Sequence, residues 1–194
     1  MAEQNDTSEK IIKAFIELFR DHGYKGATTR AVAERAGVNE VTIFRHFGNK
    51  KGLMDAVLQK VSYTPMIEKI INEQMTWELE HDLLLISHGY HAYMEDMKDL
   101  ILIVFREAGL FPEMNETIIE VPRQLRNVMV SYFTEMRKRE KIIDTDIEFQ
   151  AMNFIWLNFG YFISKARFGQ ELVPGSQDAF ITNSIQLFAR GLTP

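Results

Sequence analysis

The chain of 194 residues contains no cysteine. Disulfides and thiol nucleophiles are therefore excluded, and the redox compartment is left open. Long apolar runs are also missing. The longest covers about ten residues, Phe154 to Ile163, and Asn158 and Gly160 interrupt it. A membrane span needs roughly 20. The opening MAEQNDTSEK is polar and lacks the apolar centre of a secretory signal. A soluble, cytoplasmic protein with no membrane partner is expected. The sequence has no phosphate-binding Gly-rich loop, no nucleophile elbow and no His-Glu-x-x-His motif. Its carboxylates fall at the helical spacing of solvated faces. Neither an enzyme nor a bound cofactor is expected.

Hydrophobic residues make up 46 % and charged residues 25 %, the balance of a globular protein. The net charge is −5, a poor overall balance for binding nucleic acid. It is not evenly spread. Residues 1–60 hold ten Lys and Arg against eight Asp and Glu, whereas residues 61–194 hold twelve against nineteen. Between Arg20 and Lys51 there are seven basic and three acidic residues. A small anion-binding head on a larger acidic body is the natural reading.

Almost every segment repeats its apolar residues at helical period. The first runs from a capping Thr7 or Ser8 to about His22 and places Ile11, Ile12, Phe15, Leu18 and Phe19 on one side, with Gly23 to end it. Thr29 is expected to cap a helix over 30–36, and Asn39 a third helix from Glu40 to about Phe47. Gly37 permits the tight turn between them. A fourth starts near Lys50 and carries Leu53, Met54, Val57, Leu58 and Val61 inward. Two short helices joined by a Gly-containing turn form a helix-turn-helix pattern, which any helical hairpin would also show. Later helices are expected over about 76–97, 99–109, 114–140, 146–168 and 177–191. Pro65, Pro112 and Pro174 mark breaks, and Pro122 kinks the third of these or sets its true start.

The stretch GYKGATTRAVAERAGVNEVTIFRHFGNKKGLMDAV resembles the DNA-binding domain of the TetR/AcrR family of bacterial transcriptional regulators. The likeness is carried by Gly23, Thr28-Thr29, Ala33, Ala36-Gly37-Val38, Thr42-Ile43, His46-Phe47 and Lys50 followed by Leu53. It implies an all-α protein of about nine helices. A three-helix DNA-binding domain in residues 1–50 would precede an effector-binding and dimerisation domain in 51–194. The third helix would enter the major groove, with Glu40, Val41 and Thr42 on base edges. Thr42 and Val41 suit a thymine methyl, and Glu40 a cytosine amino group or simply the helix N-terminus. Arg30 matches a family position that also reaches a base. Thr28, Thr29, Arg45, His46, Lys50 and Lys51 are phosphate candidates. Phe44 stands where the family usually has a Tyr, so the ring contact is kept and the hydroxyl's phosphate bond is lost.

The same resemblance implies a homodimer formed through the last two long helices. Phe159, Phe162, Ile163, Phe180, Ile181, Ile185 and Phe188 are its candidate interface, because so many large apolar residues exceed what one small core absorbs. The middle helices would hold a small apolar or amphipathic effector. Met94, Met97, Phe105, Gln124, Val128, Met129, Met152 and Trp156 are the candidate lining, although taken one by one plain core packing accounts better for such residues. Effector binding would shift the fourth helix and release a palindromic operator, so repression is the expected mode. A metal-responsive alternative rests on His81, His88 and His91 with Glu95. Glu78-x-x-His81 is half of a di-iron motif whose second half is missing. An adaptor that has lost specific DNA binding is the third reading, supported by Glu40 and Phe44 alone.

Overall fold

A computed structural model describes residues 2–60, 62–111, 115–173 and 175–194. Among them the protein is all-α: α1 (Ala2–Gly26), α2 (Thr29–Ala36), α3 (Glu40–Phe47), α4 (Lys50–Lys60), α5 (Thr64–Gln74), α6 (Leu79–Asp96), α7 (Lys98–Ala108), α8 (Asn115–Ile118), α9 (Glu120–Lys138), α10 (Ile147–Phe168) and α11 (Gln177–Leu192). Val61, Pro112, Met114 and Pro174, used in the sequence reading, lie outside the described residues. The chain forms two compact units, one of Met1–Ser62 and Asp99–Val121, the other of Tyr63–Lys98 and Pro122–Pro194. No helix among the described residues is long and apolar enough to cross a membrane.

In the first unit α1 buries the five residues its period selects, Ile11, Ile12, Phe15, Leu18 and Phe19. They share one core with Val32, Ala33, Ile43, Leu53, Met54, Val57 and Leu58, and with Leu100 and Val104 of α7. Helix α1 begins at Ala2, so neither Thr7 nor Ser8 caps it. Ala2-Glu3-Gln4 are strong helix formers, and Asp6 and Lys10 pair one turn apart at 2.6 Å. Thr28, not Thr29, caps α2, and its Oγ1 accepts from the Ala31 amide. Asn39 caps α3 as expected. Gly52 permits a close approach, since a Cβ there would lie 2.0 Å from the Phe47 carbonyl oxygen.

In the second unit, α6 packs on α5, α10 and α11. Helix α5 is absent from the sequence reading. Pro65 stands in its first turn and so opens a helix instead of breaking one. Pro122 likewise sits in the first turn of α9 and marks its true start, while α8 is a separate single turn. The junction before α6 is organised by Asp82, which is fully buried. Its carboxylate accepts from the Thr76 amide (3.0 Å), the Thr76 hydroxyl (2.9 Å), the Trp77 amide (3.0 Å) and the Tyr132 hydroxyl (3.1 Å). These bonds hold Trp77 at φ 62, a conformation unusual for a bulky residue. Burial, reinforced by the Asp82 charge, pushes the Tyr132 phenol far above its ordinary pKa. Replacing Asp82 by Ala strands these donors and is expected to cost about 3 kcal/mol in urea unfolding. A loss below about 1 kcal/mol would show that the junction does not depend on the carboxylate.

Candidate nucleic-acid interface

Helix α3 is eight residues long and is held through Ile43, which is fully buried. With Ile43 turned inward, helical phase sends Val41, Phe44 and Arg45 outward. Val41 is 69 % and Phe44 47 % exposed, a degree that core packing does not explain. Arg45 is exposed and Thr42 half-buried on the same helix. The N-terminal turn of α2 brings Arg30 into the solvent, paired with Glu34 at 3.3 Å. An exposed pair of this kind holds its partner weakly.

Other candidates are engaged within the protein. The Thr29 hydroxyl donates to Glu40 Oε1 at 2.7 Å, tying the starts of α2 and α3 together. His46 Nε2 is buried with no hydrogen-bond partner, and the ring lies 5.9 Å from Phe47, so this nitrogen is not on the surface. Lys50 Nζ donates to the Tyr24 carbonyl and lies 4.3 Å from the centre of the Tyr24 ring. Lys51 pairs with Glu116 at 3.0 Å, which raises its pKa. Thr28 Oγ1 is used as the α2 cap. Arg30, Val41, Phe44 and Arg45 are exposed with Thr42 half-buried beside them, and Thr28 and Lys51 are also exposed although their polar atoms are engaged within the chain. Two residues outside the DNA-contact candidates belong to the support of this surface. Asn49 accepts from the Gly52 amide at the start of α4, and Glu107 of α7 accepts from the Tyr24 amide at 2.7 Å. Asn49 beside Gly48 is a readable cap signal; nothing local marks Glu107.

The effector candidates differ in burial and belong to both units. Met94 and Met129 are buried in the second unit, whereas Trp156 is 54 % exposed and Phe105 belongs to the first unit. A cavity of about 470 Å³ in the second unit is lined by Gly160, Tyr161, Ser164, Leu172, Val173, Ala179, Phe180, Asn183 and Ser184, none of them in the candidate lining. Of the dimer candidates, Phe162, Ile181 and Ile185 are buried within the chain, and Phe188 lies 6.2 Å from both Phe133 and Phe154. On these two helices the large exposed residues are Phe149, Trp156, Phe168 and Leu187.

The histidines diverge. His81 Nδ1 contacts Thr76 and Asp82, His88 faces Asp178 at 3.9 Å, and His91 is buried against Asn158 at 3.2 Å. Glu78 pairs with Lys141. Among the described residues no three His, Asp or Glu side chains are grouped to hold a metal ion. The reason is helical phase: three residues along, His91 has turned into the core while His88 faces out.

An apolar and cationic face on the second short helix of a helix-turn-helix is the arrangement that DNA-binding proteins of this class present to the major groove. Residues 11–57 match the model for the TetR family of bacterial regulatory proteins. Over 187 residues, 96 % of this chain and 97 % of the other, the protein is 33 % identical to YvkB, an uncharacterised HTH-type transcriptional regulator of Bacillus subtilis (strain 168). It belongs to the TetR family of transcriptional regulators. Similarity to the class C tetracycline repressor of Escherichia coli reaches 43 % over 51 residues, 26 % of this chain and 23 % of that one. The fold is shared with a Mesorhizobium loti protein assigned to the TetR family (TM-score 0.77, 20 % identity, 98 % of both chains covered) and with the flavonoid-responsive regulator FrrA (TM-score 0.76, 18 % identity, 98 % of both).

His91 gives the second unit a measurable pH response. Burial pushes its pKa down to about 4 from 6.5, outweighing the Asn158 bond. The unfolded chain takes up a proton that the folded one refuses, so stability is full above about pH 6.5 and falls as the pH drops towards 4. At pH 5 the loss from this group is about 2 kcal/mol. In urea titrations at pH 7 and pH 5, His91→Gln is expected to lose less stability on acidification by that amount. An equal loss in both proteins would remove His91 as the cause.

Proposed function

We propose that the protein is a homodimeric repressor that reads a palindromic operator with α3 and is released by a small apolar or amphipathic effector bound in the second unit. The observation that carries the reading is the outward face of α3: Val41 and Phe44 exposed beside Arg45, on a helix anchored by a buried Ile43. Exposed apolar side chains next to a cation suit the thymine methyl groups and phosphates of a major groove. The relatives support the mode. They include the tetracycline repressors and a probable acrEF/envCD operon repressor of Escherichia coli. An apolar or amphipathic effector is supported by the apolar interior around Met94 and Met129 and by the mixed apolar and uncharged polar lining of the cavity. A regulator of this kind works in the cytoplasm.

A salt titration of binding by fluorescence anisotropy tests the reading, with DNA flanking the protein's own gene compared with scrambled DNA of equal length. Binding to the flanking DNA is expected to be about a thousandfold tighter or more, and to weaken steeply with salt. Equal weak binding to both would favour the adaptor reading. No binding at low salt would remove the regulator reading altogether.

We place the dimer contact on the face of α10 and α11 that carries Phe149, Trp156 and Leu187. An isologous interface buries each residue twice, so one substitution counts twice. Trp156→Glu is expected to weaken the dimer by about thirtyfold or more in analytical ultracentrifugation. An unchanged association constant would move the interface elsewhere.

A further inference from the structure

Glu107 is a buried carboxylate of the first unit with no part in a base or phosphate contact. It is 6 % exposed and lies on α7, far along the chain from the DNA-reading segment. At Gly23 the backbone takes φ 68 and ψ −175, which breaks α1 and turns the next amide out of its ladder. That amide, of Tyr24, donates to Glu107 Oε2 at 2.7 Å. Oε1 accepts from Arg106 Nε at 3.1 Å. Gly23 is required twice over. Its φ is positive, and a Cβ at this position would lie 2.7 Å from Oε2 and 3.0 Å from Cδ of Glu107.

Tyr24 passes this hold onward. Its carbonyl accepts from Lys50, the first residue of α4, and the Lys50 ammonium sits over its ring. The same ring meets Phe111 edge-on at 5.2 Å. The amides of Leu110 and Phe111 both donate to the Glu107 carbonyl, so the end of α7 and this ring contact are fixed by one residue. Four residues after Tyr24, Thr28 caps α2. A single carboxylate thus fixes the turn from which α2 departs, and through Tyr24 it reaches the start of α4. Burying a carboxylate is costly, and a hydrogen bond to a backbone amide is how such a group is kept.

We infer that Glu107 is a positioning residue for DNA binding, setting the Gly23–Tyr24 turn so that α2, α3 and the start of α4 are held in the geometry that fits the operator. This rests on the regulator reading above. Loosening the turn lowers the fraction of molecules in the fitting geometry, and the apparent affinity falls by that fraction.

The test uses the full chain with Glu107→Ala, Glu107→Gln and, as a control, Leu100→Ala. Leu100 is a buried residue of the same helix that does not touch Tyr24 through any hydrogen bond. Two readouts are taken at a temperature where all are folded: hydrogen exchange at the Tyr24 amide without DNA, and affinity for the flanking DNA. Glu107→Ala is expected to speed exchange about tenfold and weaken binding about tenfold, the effect of one lost buried hydrogen bond to a charged group. Glu107→Gln, which keeps an acceptor oxygen and the volume, should stay within about threefold of the parent on both counts. Leu100→Ala should lower the melting temperature and leave Tyr24 exchange unchanged; since Leu100 shares the core that holds α3, its DNA affinity is not used as a control. Unchanged Tyr24 exchange in Glu107→Ala would overturn the inference, as would faster exchange with undiminished DNA affinity. An equal effect of Leu100→Ala on Tyr24 exchange would also overturn it, because Glu107 would then be merely structural. Failure of the parent protein to bind the flanking DNA would instead count against the regulator reading, and the exchange comparison alone would then decide whether Glu107 sets the turn.

Discussion

The burial of Ile43 is the contact on which the reading surface depends. An isolated helix of eight residues is not stable in water, because too few hydrogen bonds repay the cost of starting it. Helix α3 persists because Ile43 is enclosed by the core of the first unit and Asn39 closes its first turn. Once that one side chain is inside, the orientation of the others follows from a rotation of about 100° per residue. Nothing else is needed to turn Val41, Phe44 and Arg45 outward together. A reading surface built this way is made rigid from behind, and its own side chains stay available.

Charge in the first unit is arranged with restraint. Arg30, Arg35 and Lys51 each have a carboxylate within 3.3 Å, and Lys50 is turned onto Tyr24. Exposed pairs of this kind are weak and exchange readily for a phosphate. A phosphate that displaces a carboxylate would free these cations at close range, while Arg45 is exposed throughout.

Much of this is legible from local pattern. The inward residues of α1 and α4 follow from apolar spacing, and the turns at Gly23, Gly37 and Gly48 follow from glycine. The face of α3 follows from the family likeness at Thr42-Ile43 and His46-Phe47. What escapes does so for identifiable reasons. Pro65 reads as a break because the same residue ends helices and begins them. The inward and outward faces of α10 are not separable by period, since Phe149, Phe154, Trp156, Phe159 and Phe162 surround the helix and only packing chooses among them. His91 lies in an apparent stripe with His88, and a three-residue step is just enough to carry it from surface to core. Glu107 bonds an amide 83 residues away, a pairing with no local signature.

The bonds that fix the turn before α6 have an optical consequence. The protein has two tryptophans. Trp77 lies under the Arg139 guanidinium at 3.9 Å and 6.2 Å from the Tyr132 ring, while Trp156 stands in the open on α10. One indole is sheltered and flanked by a cation; the other meets solvent. In a single protomer a soluble collisional quencher therefore sees them as two separate emitters, and the chain carries its own reporters for the junction before α6 and for the face of α10 on which we place the dimer contact, without any added dye.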